Sequence, residues 1–271
     1  MRDEIEAELS RAGPLDWFTP SEDSTDDDLA EAARSASLVV VAGGDGSLNH
    51  AVNALQERLD EVTFGLIPKG TGNDFARSAG VPDDPAEAAR VIAAGRARSF
   101  DVSRASGGGV ERLFVNACMG GFPVQVNEAI DEDTKRKLGP LAFWVGGVKA
   151  ATDLKRSTVT MNGVDVPDCV AAGVGNGRTC GGGIEVWPAT DPSDGVLDAC
   201  ALGAPNAAAA ARLLLKVRAG EHGGLDGVAT VTGGRIEIDA DPPIELNVDG
   251  DLVGLKTPAT FEVVGRFRLL V

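Results

Sequence analysis

The clearest pattern in the chain is a short apolar run that stops abruptly. Leu38 to Val41 is continuous and largely β-branched, as a strand buried on both faces requires, and it ends in Ala42-Gly43-Gly44-Asp45-Gly46. Ser47 to Arg58 then has helical spacing, with Ala51, Val52, Leu55 and Leu59 on one stripe, so the glycines fall between a strand end and a helix start. The arrangement repeats: Val62 to Ile67 reads as a second buried strand, Pro68 ends it, and Gly70-Thr71-Gly72-Asn73-Asp74 turns into a short helix. Upstream, Arg2 to Arg11 has helical periodicity through Ile5 and Leu9. Leu15 to Thr19 reads as a short strand before the acidic loop Ser21 to Asp28, and Asp26 to Ser35 as a helix. Asp84-Pro85-Ala86-Glu87 carries a cap, a proline at the first helical position and a glutamate three residues past the cap, which predicts a helix over Ala86 to Ala94 stopped by Gly95. Alternating strand and helix implies a parallel sheet covered on both faces.

Around Phe100 the texture changes. Ser99 to Ser103, Arg112 to Cys118, Ser157 to Met161, Asp168 to Gly173, Leu197 to Leu202, Ala229 to Thr232, Arg235 to Asp239, Ile244 to Asn247 and Thr260 to Val264 read as short strands with glycines and prolines between them. That pattern predicts an antiparallel β-sandwich. Helices are expected at Leu141 to Leu154, apolar enough to pack on the sandwich or line a lipid pocket, and at Ala207 to Ala219. The expected architecture is therefore α/β plus all-β: an N-terminal parallel-sheet nucleotide-binding domain over residues 1–102, then an antiparallel β-sandwich domain over 103–271.

Two strands with glycine turns at their carboxyl ends form the kind of crevice where open α/β sheets bind ligands. Glycine lets the backbone approach an anion, and the amides at a helix start point at it. A single glycine-rich turn is more often an ordinary structural turn; the second one gives the reading its weight. Asp45 would repel a bare phosphate, which points to a role through a metal, water or ribose hydroxyl.

Gly43 to Asn49, GGDGSLN, and Pro68 to Arg77, PKGTGNDFAR, together resemble the diacylglycerol kinase catalytic-domain family, which includes soluble bacterial lipid kinases and sphingosine kinases. NAD kinases share the GGDG turn, but the second stretch is similar to the lipid kinases specifically. The resemblance covers about nine tenths of the chain. It implies an NAD kinase/diacylglycerol kinase-like fold and ATP lying between the domains, contacted by Thr19, Gly43, Gly44, Asp45, Gly46, Ser47, Asn49 and Thr71, with Mg²⁺ on its phosphates. It implies that Asp74 and Asp101 link the domains near the active site. Pro188 to Asp198, PATDPSDGVLD, resembles a structural magnesium loop, with Asp194 as carboxylate ligand and the carbonyls of Asp191 and Val196; an Asp-Gly turn alone would explain the local sequence. Asn116 to Phe122 and Val174 to Gly183 match further glycine-rich stretches, and His222 a family histidine read as structural.

In Asn247 to Gly254, NVDGDLVG, Asp249-Gly250 is a turn signal that by itself would close a hairpin; the resembled family has DGE here, whose glutamate is its proposed base for the lipid hydroxyl proton. Here the residue is Asp251, which retains the carboxylate but reaches roughly 1.5 Å less. A second departure is His50, where the family usually has Glu. A third is the start: the strand and NPxSG turn that open the family's fold are missing before the first helix, which suggests truncation or an unusual beginning.

Charge refines the picture. Lys and Arg total 25 against 41 Asp and Glu, a net −16, and only seven of the basic residues are Lys. The excess is spread along the chain, as on the solvated acidic surface of a halophile protein, and it argues against nucleic acid. No apolar run approaches the ~20 residues of a membrane span. A cytoplasmic enzyme, peripheral at the membrane where its lipid alcohol lies, is expected, and edge strands in the sandwich allow a homodimer. Cys118, Cys169, Cys180 and Cys200 lack CxxC spacing and read as free thiols. The leading function is an ATP-dependent lipid kinase; an NAD kinase-like enzyme, or a catalytically weak lipid- or nucleotide-binding protein, are the alternatives.

Overall fold

The computed structural model describes residues 2–10, 13–21, 24–121 and 155–271. The apolar runs at the start form adjacent parallel strands, β1 (Leu38–Gly43) and β2 (Thr63–Pro68), paired from Leu38↔Thr63 to Gly43↔Pro68, so both glycine turns emerge at the same sheet end. Helices α1 (Arg2–Leu9), α2 (Asp26–Ala32), α3 (Asp45–Ala54), α4 (Asp74–Ala79) and α5 (Pro85–Ala94) accompany them. Thr25 caps α2 in a reciprocal capping box with Asp28, and Asp84 caps α5 ahead of Pro85. The second part contributes β3 (Ala97–Gly107), β4 (Val110–Phe114), β5 (Ala117–Gly121), β6 (Ser157–Met161), β7 (Val164–Gly175), β8 (Leu197–Gly203), α6 (Ala207–Arg218), β9 (Val228–Gly233), β10 (Arg235–Asp241), β11 (Glu245–Val248), β12 (Asp251–Lys256) and β13 (Ala259–Leu270). Their mutual pairings are antiparallel, so the mixed α/β plus β-sandwich architecture expected from the chain is the one observed.

The two parts share strands. β13 runs antiparallel to β3 along nearly its full length, then adds parallel to β2 through Arg268↔Thr63 and Leu269↔Phe64. Residue 102 lies inside β3, and Phe64, Phe75, Phe100 and Phe267 form one aromatic core across that seam, with the centroids of contacting rings 5.6 to 6.2 Å apart. A second core, including Phe114, Met161, Ile236 and Phe261, fills the sandwich, and a third packs Met119, Trp187 and Leu213 beneath α6.

Several elements differ from the sequence reading. α3 begins at Asp45 rather than Ser47, because Gly44 is the extended cap residue and its carbonyl accepts from the Leu48 amide; it ends at Ala54, and Gln56–Arg58 form a separate 3₁₀ turn. Leu15 to Thr19 has no regular structure. The single strand expected over Arg112 to Cys118 is two strands, since the Val115 and Asn116 amides turn away from the ladder toward the Asp249 carboxylate. Asp249-Gly250 turns β11 into β12, which Asp251 opens, as a hairpin-closing turn would. The helix expected at Leu141 to Leu154, and Phe122, lie outside the described residues. Among the described residues no helix is long and apolar enough to cross a membrane. The cysteines are free, and burial pushes the Cys169 thiol up to about 11 and Cys200 up to about 12.

Candidate active site

The site is built where the two glycine turns meet back to back. A Cβ on Gly70 would lie 2.6 Å from the Gly44 Cα, and one on Gly44 3.0 Å from the Gly70 Cα, so only glycine permits this approach. The Lys69 amide donates to the Gly43 carbonyl at 2.9 Å, extending the parallel ladder into the turns. Asn73 adopts a left-handed conformation (φ 51°) and clamps Gly70 through both its backbone groups. Ser47 folds its hydroxyl back over Gly43, and Thr71 is exposed on the second turn.

Three carboxylates hold the turns to the rest of the protein. Asp45 accepts from the amides of Asp74 (3.0 Å) and Phe75 (2.8 Å), so the first turn caps the helix that follows the second. Burial raises its carboxyl above the ordinary value, with the Asp74 charge adding to the shift and the two amides opposing it. Asp74 accepts from Gly182 and Gly183 amides at 2.8 and 2.7 Å and from the Thr179 hydroxyl at 2.8 Å, joining α4 to the glycine loop before Ile184. Asp101, fully buried, accepts from the Gly195 amide at 2.6 Å and from Arg266 at 2.9 Å. Its own amide donates to the Pro192 carbonyl, so β3 carries the 191–196 loop.

A fourth carboxylate, Asp249, was legible only as part of an Asp-Gly turn. It is buried in a left-handed conformation (φ 48°) and accepts from Val115, Asn116 and Ala117 amides and from the Asn49 side chain, all within 2.9 Å. Burial pushes its carboxyl up to about 6 despite those four donors. Asn49, expected at the nucleotide, instead spends its amide nitrogen on Asp249 and on the Leu113 carbonyl. Asp249 thereby fixes the start of β12, and the Asp251 carboxylate comes to rest over Gly46: a Cβ on Gly46 would meet its oxygens at 3.2 and 3.4 Å. Asp251 thus stands at the first turn, at the sheet end where ligands bind in such folds.

Thr19 is exposed in the irregular stretch of residues 13–21. His222 is buried, its Nε2 2.9 Å from the Val186 carbonyl, and burial lowers its basicity; this is a structural histidine beneath α6. In the 191–196 loop, Asp191 accepts from the Ser193 amide and hydroxyl, and Asp194 Oδ1 from the Val196 amide. Among the described residues no group of three His, Cys, Asp or Glu side chains converges as a metal site. The donor chemistry still fits a hard cation, since Asp45 and Asp194 each keep carboxylate lone pairs beyond the amides they accept.

The family model described as "Diacylglycerol kinase catalytic domain" matches residues 1–105, and that described as "YegS C-terminal NAD kinase beta sandwich-like domain" matches residues 116–270. Among relatives, the "Probable lipid kinase YegS-like" protein of Stenotrophomonas maltophilia (strain K279a) is 32% identical over 250 residues, covering 89% of this chain and 81% of that protein. Its namesake in Pseudomonas putida KT2440 is 33% identical, covering 82% and 73%. A crystal structure described as a diacylglycerol kinase from Bacillus anthracis str. Sterne superposes with a TM-score of 0.75 at 26% identity, covering 99% of this chain and 90% of that one. With the two family models together spanning nearly the whole chain and the relatives above covered over most of their length, the chain belongs to the diacylglycerol kinase catalytic-domain family, in its YegS-like branch.

Proposed function

We propose that this protein is an ATP-dependent lipid kinase that transfers the γ-phosphate to the hydroxyl of a diacylglycerol-like or related lipid alcohol. The observation that carries the reading is the Asp251 carboxylate lodged over Gly46, beside two glycine turns that emerge at one sheet end. In this reading the phosphates lie over Gly43 to Asn49 and near Thr71, and residues 1–102 supply the nucleotide side while 103–271 supply the acceptor side. Asp251 orients the acceptor hydroxyl and takes its proton as the oxygen attacks phosphorus. Asp45 helps hold Mg²⁺, which when bound neutralises charge on the phosphate oxygens. Asp74 and Asp101 act from behind, holding the glycine loop and the 191–196 loop against the site. The reaction depends mainly on positioning, so these buried clamps matter as much as the base. Peripheral contact with the membrane surface supplies the lipid, and the edge strands of the sandwich leave room for a homodimer.

The match to an NAD kinase beta sandwich-like domain favours one second reading, NAD as the acceptor. Transfer of labelled γ-phosphate from ATP, with Mg²⁺, is measured to lipid alcohols in detergent micelles and to NAD, in low and in molar salt given the acidic surface. Label in a lipid fraction and none in NAD is expected; the reverse overturns the lipid reading.

The 191–196 loop gives a separate expectation. Mg²⁺ at millimolar concentration raises the melting temperature of the wild type by a few degrees, and Asp194→Ala abolishes the rise. An identical rise in the variant removes Asp194 from the ligand set.

A further inference from the structure

His50 follows Asn49 on α3, and the helix turns the two side chains to opposite environments: Asn49 is buried and His50 is exposed. The ring nonetheless has charged neighbours at both nitrogens. Nδ1 lies 3.1 Å from Asp26 Oδ1 and 3.1 Å from Arg112 Nη2, and Arg112 donates to the other Asp26 oxygen at 2.7 Å. A hydrogen on Nδ1 can therefore be given to Asp26, and a bare Nδ1 can accept from Arg112, so either neutral tautomer is accommodated. Nε2 lies 3.5 Å from Asp251 Oδ2. The charged groups facing the ring are thus Asp26 from α2, Arg112 from β4 and Asp251 from β12; Asp249 is turned into its amide cage.

We propose that His50 is a positioning residue and proton relay behind Asp251, an inference that rests on the lipid-kinase reading. With Nδ1–H given to Asp26, the Nε2 lone pair faces Asp251. As the acceptor oxygen attacks phosphorus, its O–H bond breaks and the proton goes to the Asp251 carboxylate. That new O–H bond breaks in turn as Nε2–H forms, leaving an imidazolium between Asp26 and the restored Asp251 carboxylate. The proton leaves to water from the exposed ring, and no other reactant is needed. In the other tautomer, Nε2–H faces Asp251 and helps orient a side chain one carbon shorter than the glutamate of the resembled family.

The chain contains two histidines, so the His50 ring can be followed by NMR, its signal assigned by its loss in His50→Gln. Its ring resonances are expected to move in Asp251→Asn, because the group facing Nε2 changes. In the transfer assay with ATP and dioctanoylglycerol micelles, His50→Gln is expected to lower kcat about 10-fold and remove an ionisation from the acid side of its pH profile, with KM for ATP unchanged. Ring resonances unmoved by Asp251→Asn, or a His50→Gln profile superimposable on the wild type, overturns the relay. A coupled His50 in a protein that transfers phosphate to no lipid alcohol overturns the lipid-kinase reading and the relay with it, so the two failures are distinguishable.

Discussion

Replacing Asp249 by Ala is expected to destabilise the protein by about 3–5 kcal/mol at pH 5, measured by urea denaturation. The variant leaves four donors, three of them backbone amides between β4 and β5, without their acceptor in a dry interior. Asp249→Asn should lose less, because one acceptor oxygen remains. The deficit should also depend on pH. The folded-state carboxyl sits at about 6, above its ordinary 3.8, so the stability linked to its protonation is complete below about pH 4 and is lost as pH rises through 6. That component amounts to about 3 kcal/mol for a shift of about two units, and it vanishes from the variant. A wild type and variant whose stabilities run parallel between pH 4 and 7 would contradict the buried-cage account.

Asp45→Ala is expected to reduce kcat by about 10³-fold or more while the protein stays folded. Its carboxylate fastens the first glycine turn to the start of α4, and each of its oxygens keeps a lone pair beyond the amide it accepts. Loss of the cap alone costs about 1–2 kcal/mol, which a melting curve reads separately from turnover. Wild-type-like turnover in Asp45→Ala would remove it from the site.

How much was legible in the chain follows from the range of each interaction. The β1 and β2 turns could be read because strand, glycines and helix are contiguous, so local periodicity carries the whole motif. Asp74, Asp101 and Asp251 were reached through the resemblance, and the partners that explain them lie far away in sequence: Gly182 and Gly183 for Asp74, Arg266 and Gly195 for Asp101, Gly46 for Asp251. Asp249 was hidden because an Asp-Gly pair signals a turn whether its carboxylate faces water or four amides. The same cage broke one expected strand into β4 and β5, a tertiary effect that alternation along Arg112 to Cys118 cannot reveal. β13 was underestimated for a related reason. Its second half, Gly265 to Leu270, alternates exposed arginines with buried apolar residues, and its destination beside β2 is set by a strand some two hundred residues earlier. His50 registered only as a departure from a pattern; its three charged neighbours come from three separate elements.

The most direct test of the account is labelled γ-phosphate transfer from ATP to lipid alcohols by the wild type and by Asp251→Asn, with melting curves on both. The account predicts transfer by the wild type and a loss of about 10³-fold or more in the variant, with the two proteins melting within a few degrees of each other. Equal transfer by the two would contradict it, because the carboxylate over the first glycine turn would then have no part in the chemistry.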